Sequence, residues 1–491
     1  MRLLVLGGGP AGLNAALQAR ELNAQVTLIE AHRLGGTSVN RGPAPVRALA
    51  RAARLVRDTR TWPTFGLRGP VPEVDLAATL ANAGRVADYA HHQQRLSEHV
   101  AATGIELIEG VGPARFLDPH SVAVADGRSW QADRIMIAVG GHPGRLPIPG
   151  AELGLTYTDV RALTALPGRV AVIGGADTGC QLASILADFG CQTLLLEYAP
   201  RLIPRADQDI SAALGAAFAR RGIEVVTGAS AERLVRVEGG VEVHYRQADG
   251  SARRLVDAVF FAVGWPANLE GLELATAGVA AERGRIPVND WLQTNVAHIF
   301  AVGDVNGRSM LVPSARHEGR LAAENAVLGT RRRVAHEIVP TGSFTDPEYA
   351  SVGLTEAEAR ERYNCAVAVV GYDHLLRAVI DGHAEGFCKL IVERRQRYLL
   401  GAHVLGEYSA EVIQVAAVAM AANLRVEQLA ELQLAFPTFT EALGMAAQQL
   451  VRELGVARMP PSPSDLGPAP STGRTVPPGP DAVNTAAPEA G

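Results

Sequence analysis

"RLLVLGGGPAGLNAALQA", residues 2–19, is a short apolar strand, a glycine turn and an Ala/Leu-rich helix. The same order recurs in "RVAVIGGADTGCQLASIL", residues 169–186. Each is followed by a second apolar strand ending in an acid, "QVTLIE" at Glu30 and "QTLLLE" at Glu197. Both acids lie 23 residues after the first glycine of their turn, Gly7 and Gly174. One GxGxxG says little. Two matched units, each with an acid at that distance, predict two dinucleotide-binding sheets. Physical chemistry sets the residue types. Gly7 permits the tight turn, Gly9 lets backbone approach a pyrophosphate, and Gly12 lets the helix pack on its strand. The helix N-terminus then offers free N–H groups and a positive dipole end to the phosphates. Glu30 can accept from a ribose hydroxyl. In the second unit Ala176 replaces the middle glycine, and its methyl pushes phosphates slightly outward.

Working outward, "IAVGG" (137–141), "FAVGW" (261–265) and "FAVGD" (300–304) read as closing strands that end in glycine turns. "RLPIPG" (145–150) is a linker, and "GRIPVNDWLQTNVAHIFAVGD" (284–304) returns the chain to the first sheet. From about Val339 the pattern becomes strand-rich, as in "FCKLIVERRQRYLLGAHVLG" (387–406), with two helices after it near 408–423 and 439–454. The expected division is a first nucleotide domain at 1–150 and 281–335, a second at 151–280, an α+β domain at 336–456, and a Pro/Gly/Ala-rich disordered tail at 457–491.

The 491 residues exceed one core. A net charge of −5 leaves no basic footprint for nucleic acid or an anionic membrane. Cys180, Cys191, Cys365 and Cys388 are widely spaced, with no metal-ligand pattern, which suits a reducing cytosol. The longest apolar run, 412–424, is too short to span a bilayer and reads as a buried helix. The first strand begins near Arg2, so no leader and a cytoplasmic location are expected.

With "GGTSVNRGPAP" (35–45), "ARHEGRLAAENAVLG" (315–329), "FTDPEYASVGLTEAEA" (344–359) and "AFPTFTEAL" (435–443), the chain resembles the flavoprotein disulfide reductases from residue 1 to about 455. These are the pyridine nucleotide-disulfide oxidoreductases such as dihydrolipoamide dehydrogenase, mercuric reductase and glutathione reductase. The resemblance implies an α/β fold with two Rossmann-like domains, one for FAD and one for NAD(P)H, and a third domain that forms a homodimer. Gly7, Gly9, Gly12, Glu30, Gly36, Thr37, Gly140 and Asp304 then correspond to FAD contacts. Gly174, Gly179, Glu197 and Gly264 correspond to nicotinamide-nucleotide contacts. Glu197 favours NADH, because a carboxylate repels a 2′-phosphate; Arg201 and Arg205 nearby leave NADPH open.

The chain departs from that family where thiols act. Ser38 and Pro43 occupy the two redox-cysteine positions, and neither can form a thiolate or a disulfide. Pro43 still suits a helix start. Phe436 occupies the position of the proton-donating His supplied by the partner subunit, and Phe transfers no proton. Glu441 is retained, as a structural remnant or a weak acid. Arg47 and Gln181 stand where the family has a Lys–Glu pair near flavin N5. Without a Glu partner, Arg47 would either bias the flavin toward reduction by its charge or simply hydrogen-bond. Asp177 stands where several relatives place an aromatic over the nicotinamide. Cys180 at a helix start and His317 beside the FAD segment read as structural before functional. These readings converge on an FAD-dependent NAD(P)H oxidoreductase that reduces a small non-disulfide acceptor such as a quinone. Three alternatives stay open: a soluble transhydrogenase, an impaired disulfide reductase homologue, and a flavin-binding scaffold.

Overall fold

The computed structural model describes residues 1–92, 95–335 and 338–456; the expected tail lies outside them. The fold is α/β. Strand Arg2–Leu6 pairs in parallel with Gln25–Glu30 and with Arg134–Ile137, and the sheet is completed by Ile299–Ala301 and Glu106–Glu109 at its edges. Leu3 to Leu6 are buried without alternation, as a parallel strand covered on both faces requires. Helix Pro10–Glu21 covers one face and packs on helix Val312–Leu328. The approach is so close that a methyl at Gly319 would lie 2.1 Å from the Ala11 carbonyl oxygen.

The second parallel sheet repeats the plan with Arg169–Ile173 at its centre, between Gln192–Leu196 and Ala258–Phe261, and with Glu224–Val226 and Leu155–Thr156 at the edges. An antiparallel three-stranded sheet, Ser230–Val237, Gly240–Gln247 and Gly250–Val256, packs its Leu234, Val241, Val243 and Tyr245 against it.

The third unit is an antiparallel sheet ordered Thr341–Ser343, Tyr349–Gly353, Leu399–Leu405, Phe387–Glu393, Cys365–Gly371. Helices Ser409–Ala421 and Glu441–Glu453 cover it. Val412, Ile413 and Ala416 of the long apolar run are buried there, as expected of a core helix. A short helix, Val426–Glu431, lies between the two expected ones; its Val426 and Leu429 enter the same core, and Arg425 and Gln428 close its first turn. Among the described residues no helix is long and apolar enough to cross a membrane.

Ionic clusters join the units. Asp346 of the third unit pairs with Arg57 on helix Pro43–Asp58 and with Arg221 at the end of helix Gln208–Arg220. Lys389, buried in the third sheet, lies 2.9 Å from Asp207, 2.8 Å from Asp209 and 2.5 Å from Glu356. Burial opposes the ammonium, but its three carboxylate bonds outweigh that and hold its pKa above the ordinary value.

Candidate dinucleotide sites

The two glycine turns have the same geometry. Gly7 and Gly174 have φ of +102° and +106°, and a methyl at either would lie 2.4 Å from a carbonyl oxygen of the neighbouring strand's loop, Ala138 or Ala262. A methyl at Gly12 would lie 1.8 Å from the Gly7 oxygen, and one at Gly179 would lie 1.7 Å from the Gly174 oxygen. These four glycines are demanded by the turn itself. Gly9 is different: its methyl would meet nothing nearer than the Gly36 Cα at 3.8 Å. Ala176 holds the matching place in nearly the same backbone conformation, φ −82° against −73°. The open space above Gly9 is what a pyrophosphate crossing the helix N-terminus needs.

The acids bind their own turns. Glu30 accepts from the Gly8 N–H at 2.6 Å and from the His32 N–H at 2.9 Å. Glu197 accepts from Gly175 and Ala199 in the same way. Each carboxylate thus ties the first strand's turn to the end of the second strand, which sets the outer wall of the site.

The loops carrying Gly140 and Gly264 lace the two nucleotide sheets together. Gly144 N–H donates to the Gly264 oxygen, His142 N–H to the Pro266 oxygen, and Asn268 N–H to the Gly140 oxygen. Methyls at Gly140 and Gly264 would meet nothing within 4 Å. Asp304 lies close by, in the turn Gly303–Asn306. Burial raises its carboxyl above the ordinary range, partly offset by Trp265 and Arg285. Tyr157 stacks on Trp265 with centroids 5.9 Å apart. Burial, then the charge of Asp304, raises the Tyr157 phenol. The buried Glu318 carboxylate receives the Gly303 N–H at 2.7 Å and steadies this turn.

The 35–45 loop forms a short helix, Gly36–Asn40, and the long helix then starts at Pro43, as expected. Gly36, with φ +57°, backs onto Gly9, since a methyl there would lie 2.7 Å from the Gly9 Cα. Thr37 gives its carbonyl oxygen to the N–H groups of Arg41 and Gly42. Ser38 Oγ donates to the Gly35 oxygen at 3.1 Å, and Pro43 is exposed. The four cysteines are free and buried. Burial pushes Cys191 to about 11 and Cys388 to about 12, and raises Cys180, which donates to the Gly175 oxygen. Among the described residues no His/Cys/Asp/Glu cluster could hold a metal.

Arg47 requires a correction. It does have an acidic partner, Glu348 of the third unit at 3.1 Å, and its guanidinium lies 4.2 Å from the Phe344 ring centroid. Glu348 is shared with Arg54 at 2.8 Å, and burial raises its carboxyl despite both cations. The charge of Arg47 is therefore compensated from a segment 301 residues away. Gln181 turns back on its own helix and donates to the Asp177 oxygen at 3.1 Å. Asp177 accepts from the hydroxyl of buried Tyr349. Glu441 accepts from the Thr438 N–H at 3.1 Å, a local contact before its helix, and Phe436 is 69% exposed.

Residues 344–349 therefore bear directly on positions 47 and 177, and residue-by-residue reading missed Glu348, Tyr349, Tyr157 and Glu318. Only Glu318 carried a sequence signal, an acid within an Ala-rich helix.

Comparison with known proteins agrees with this architecture. Residues 1–319 match the family described as pyridine nucleotide-disulphide oxidoreductase, and residues 339–447 match its dimerisation domain. A mercuric reductase from Lysinibacillus sphaericus is 32% identical, covering 91% of this chain and 82% of that protein. A dihydrolipoyl dehydrogenase from Zymomonas mobilis is 32% identical, covering 90% and 96%. The crystal structure of LpdA from Mycobacterium tuberculosis aligns with a TM-score of 0.83 at 26% identity, covering 92% and 99%. RclA from Escherichia coli, an HOCl-induced flavoprotein disulfide reductase, aligns with a TM-score of 0.81 at 27% identity, covering 91% and 99%. The chain belongs to the pyridine nucleotide-disulphide oxidoreductase family.

Proposed function

We propose that this protein is a homodimeric, cytoplasmic NADH-dependent flavoenzyme that passes electrons to a small non-disulfide acceptor, with a quinone as the best chemical fit. One observation carries the reading. The loop that backs onto the Gly9 turn holds Ser38 and Pro43, and all four thiols are buried. A flat electron-poor acceptor needs no thiolate and no imidazole donor, so Phe436 is no obstacle to it.

The first unit, residues 1–150 with 281–335, would hold FAD through the Gly7–Gly12 turn, Glu30, Gly36, Thr37, Gly140 and Asp304. The open space at Gly9 and Gly140 fits that group. FAD, when bound, supplies the electron relay between reduced nicotinamide and acceptor. Residues 151–280 would hold the nucleotide through Gly174, Gly179, Glu197 and Gly264. The Glu197 charge at the end of its strand supports NADH over NADPH. Arg47 and Gln181 would flank the flavin, with Arg47 oriented by Glu348 and Phe344. Residues 336–456 would form the dimer, and Glu441 there serves its own loop.

The test is anaerobic. Purified FAD-containing protein is mixed with NADH or NADPH, and the flavin absorbance is followed. Menadione, lipoamide or oxidised glutathione is then added. Bleaching by NADH with recovery only on menadione supports the reading. Turnover of lipoamide refutes the thiol-independent part, and no bleaching by either nucleotide refutes the whole.

A further inference from the structure

Asp177 is awkwardly placed for an anionic ligand. It is the first residue of helix Asp177–Asp188. The N–H groups of that first turn are the ones a pyrophosphate would use, so an exposed carboxylate stands beside the path of two phosphate charges. The side chain is nevertheless tethered, because Tyr349 donates its hydroxyl to Asp177 Oδ1.

The tether is firmly anchored. Tyr349 is 4% exposed and packs with Val172, Cys180 and Leu182 in the core of the second unit. Its backbone is fixed by antiparallel pairing with Leu405. Its neighbour Glu348 is clamped by Arg47 and Arg54. Burial holds the phenol well above its ordinary range, so it stays a donor. The acid and the phenol lie 172 residues apart, on different units.

We propose that Tyr349 is a positioning residue that draws the Asp177 carboxylate off the pyrophosphate path, which lets a dinucleotide bind beside an acid that would otherwise repel it. The inference rests on reading the Gly174–Gly179 turn as the nicotinamide-nucleotide site. A freed carboxylate about 5 Å from a phosphate in water weakens binding roughly fourfold per phosphate charge, which with two charges and the residual repulsion of the tethered group subtracted sets a loss of about two- to fifteenfold.

The test measures binding, not turnover. FAD-loaded protein is titrated by calorimetry with ADP-ribose, which carries the pyrophosphate and cannot reduce the flavin. Tyr349→Phe should weaken binding by about two- to fifteenfold at low salt, and less at high salt, where screening removes the repulsion. Asp177→Asn should bind at least as well as the parent. The double variant Tyr349→Phe/Asp177→Asn should return to the affinity of Asp177→Asn. A merely structural hydroxyl makes the opposite forecast, since the double variant also lacks the Tyr349 hydroxyl and would bind as weakly as Tyr349→Phe. That result, or unchanged binding by Tyr349→Phe, overturns the inference while leaving the nucleotide site intact. Absence of ADP-ribose binding by the parent overturns the site assignment and this inference with it. Flavin content and circular dichroism report the folding of each variant, and Asp177→Asn keeps the test alive if Tyr349→Phe alone misfolds.

Discussion

Gly9→Ala separates what the fold needs from what a ligand needs. The added methyl would find the Gly36 Cα at 3.8 Å and nothing closer. The backbone there, φ −73° and ψ −174°, suits any L-residue, and the chain already carries alanine at the matching position 176. Two small terms act on the apoprotein. Losing glycine at a helix N-cap costs up to about 1 kcal/mol, and restricting the unfolded chain returns roughly 0.4–1 kcal/mol. Net stability should stay within about 1 kcal/mol of the parent. A bound FAD has no such latitude, because the methyl occupies the space over the helix N-terminus. Losing one charge-assisted bond from backbone N–H to phosphate costs about 1.5–3 kcal/mol, or roughly 10- to 150-fold in affinity. Flavin-fluorescence titration of the apoprotein measures the affinity, and chemical denaturation of the same apoprotein measures the stability. Unchanged FAD affinity would mean that the pyrophosphate does not cross Gly9. A large loss of apoprotein stability would mean that the space is not open. Either result refutes the reasoning.

Three further outcomes are expected. Ala176→Gly should tighten ADP-ribose binding by about three- to tenfold with little change in stability, since it only removes a methyl facing the ligand path; calorimetry reads it. Lys389→Met should destabilise the protein by about 3 kcal/mol, because it strands Asp207 in the interior. Burial pushes the Asp207 carboxyl up, but the Glu356 N–H and the Lys389 ammonium outweigh it and leave it below the ordinary value. A depressed carboxyl adds stability above its unfolded pKa of about 3.9, so the parent should lose this stability as pH falls through the lower folded value, and the variant should lose less, since only the Glu356 N–H remains to hold the carboxyl down. Finally, at pH 8 the native thiols should resist alkylation. With Cys191 held at about 11, its thiolate fraction is on the order of 1 in 1,000, and burial slows reaction further. Four thiols should appear only after denaturant, and electron transfer to a quinone should survive native-state alkylation.

The doubled turn was readable because its cause is local. Glycines 7, 12, 174 and 179 are dictated by contacts within a few residues or with the next strand, and the chain repeats them with one spacing. The apolar runs likewise announced parallel strands. The acids were harder. Glu30 and Glu197 sit where the spacing put them, but both oxygens of each are engaged by turn amides, which no pattern of residue types conveys. The partners of Arg47 and Asp177 were invisible for a different reason. Glu348 and Tyr349 reach them across 301 and 172 residues, and charge pairing over such distances leaves no periodicity in the chain. Arg47 looked unpaired because the family's partner position had become Gln181, while compensation came from another unit.

Asp346 has a consequence for how this molecule comes apart and how it could be recombined. One carboxylate is gripped by Arg57 from the first unit and Arg221 from the second, while its own backbone belongs to the third. A loosening of the first or the second unit strips a partner from Asp346, and a loosening of the third strips one from both arginines. The stabilities of the three units should therefore be coupled at this carboxylate, and Asp346→Asn should lower more than one of them. A chimera that imports the third unit from a relative inherits the same condition: it must bring an acid at 346 or leave Arg57 to Asp58 and Arg221 to Asp188, each one carboxylate short.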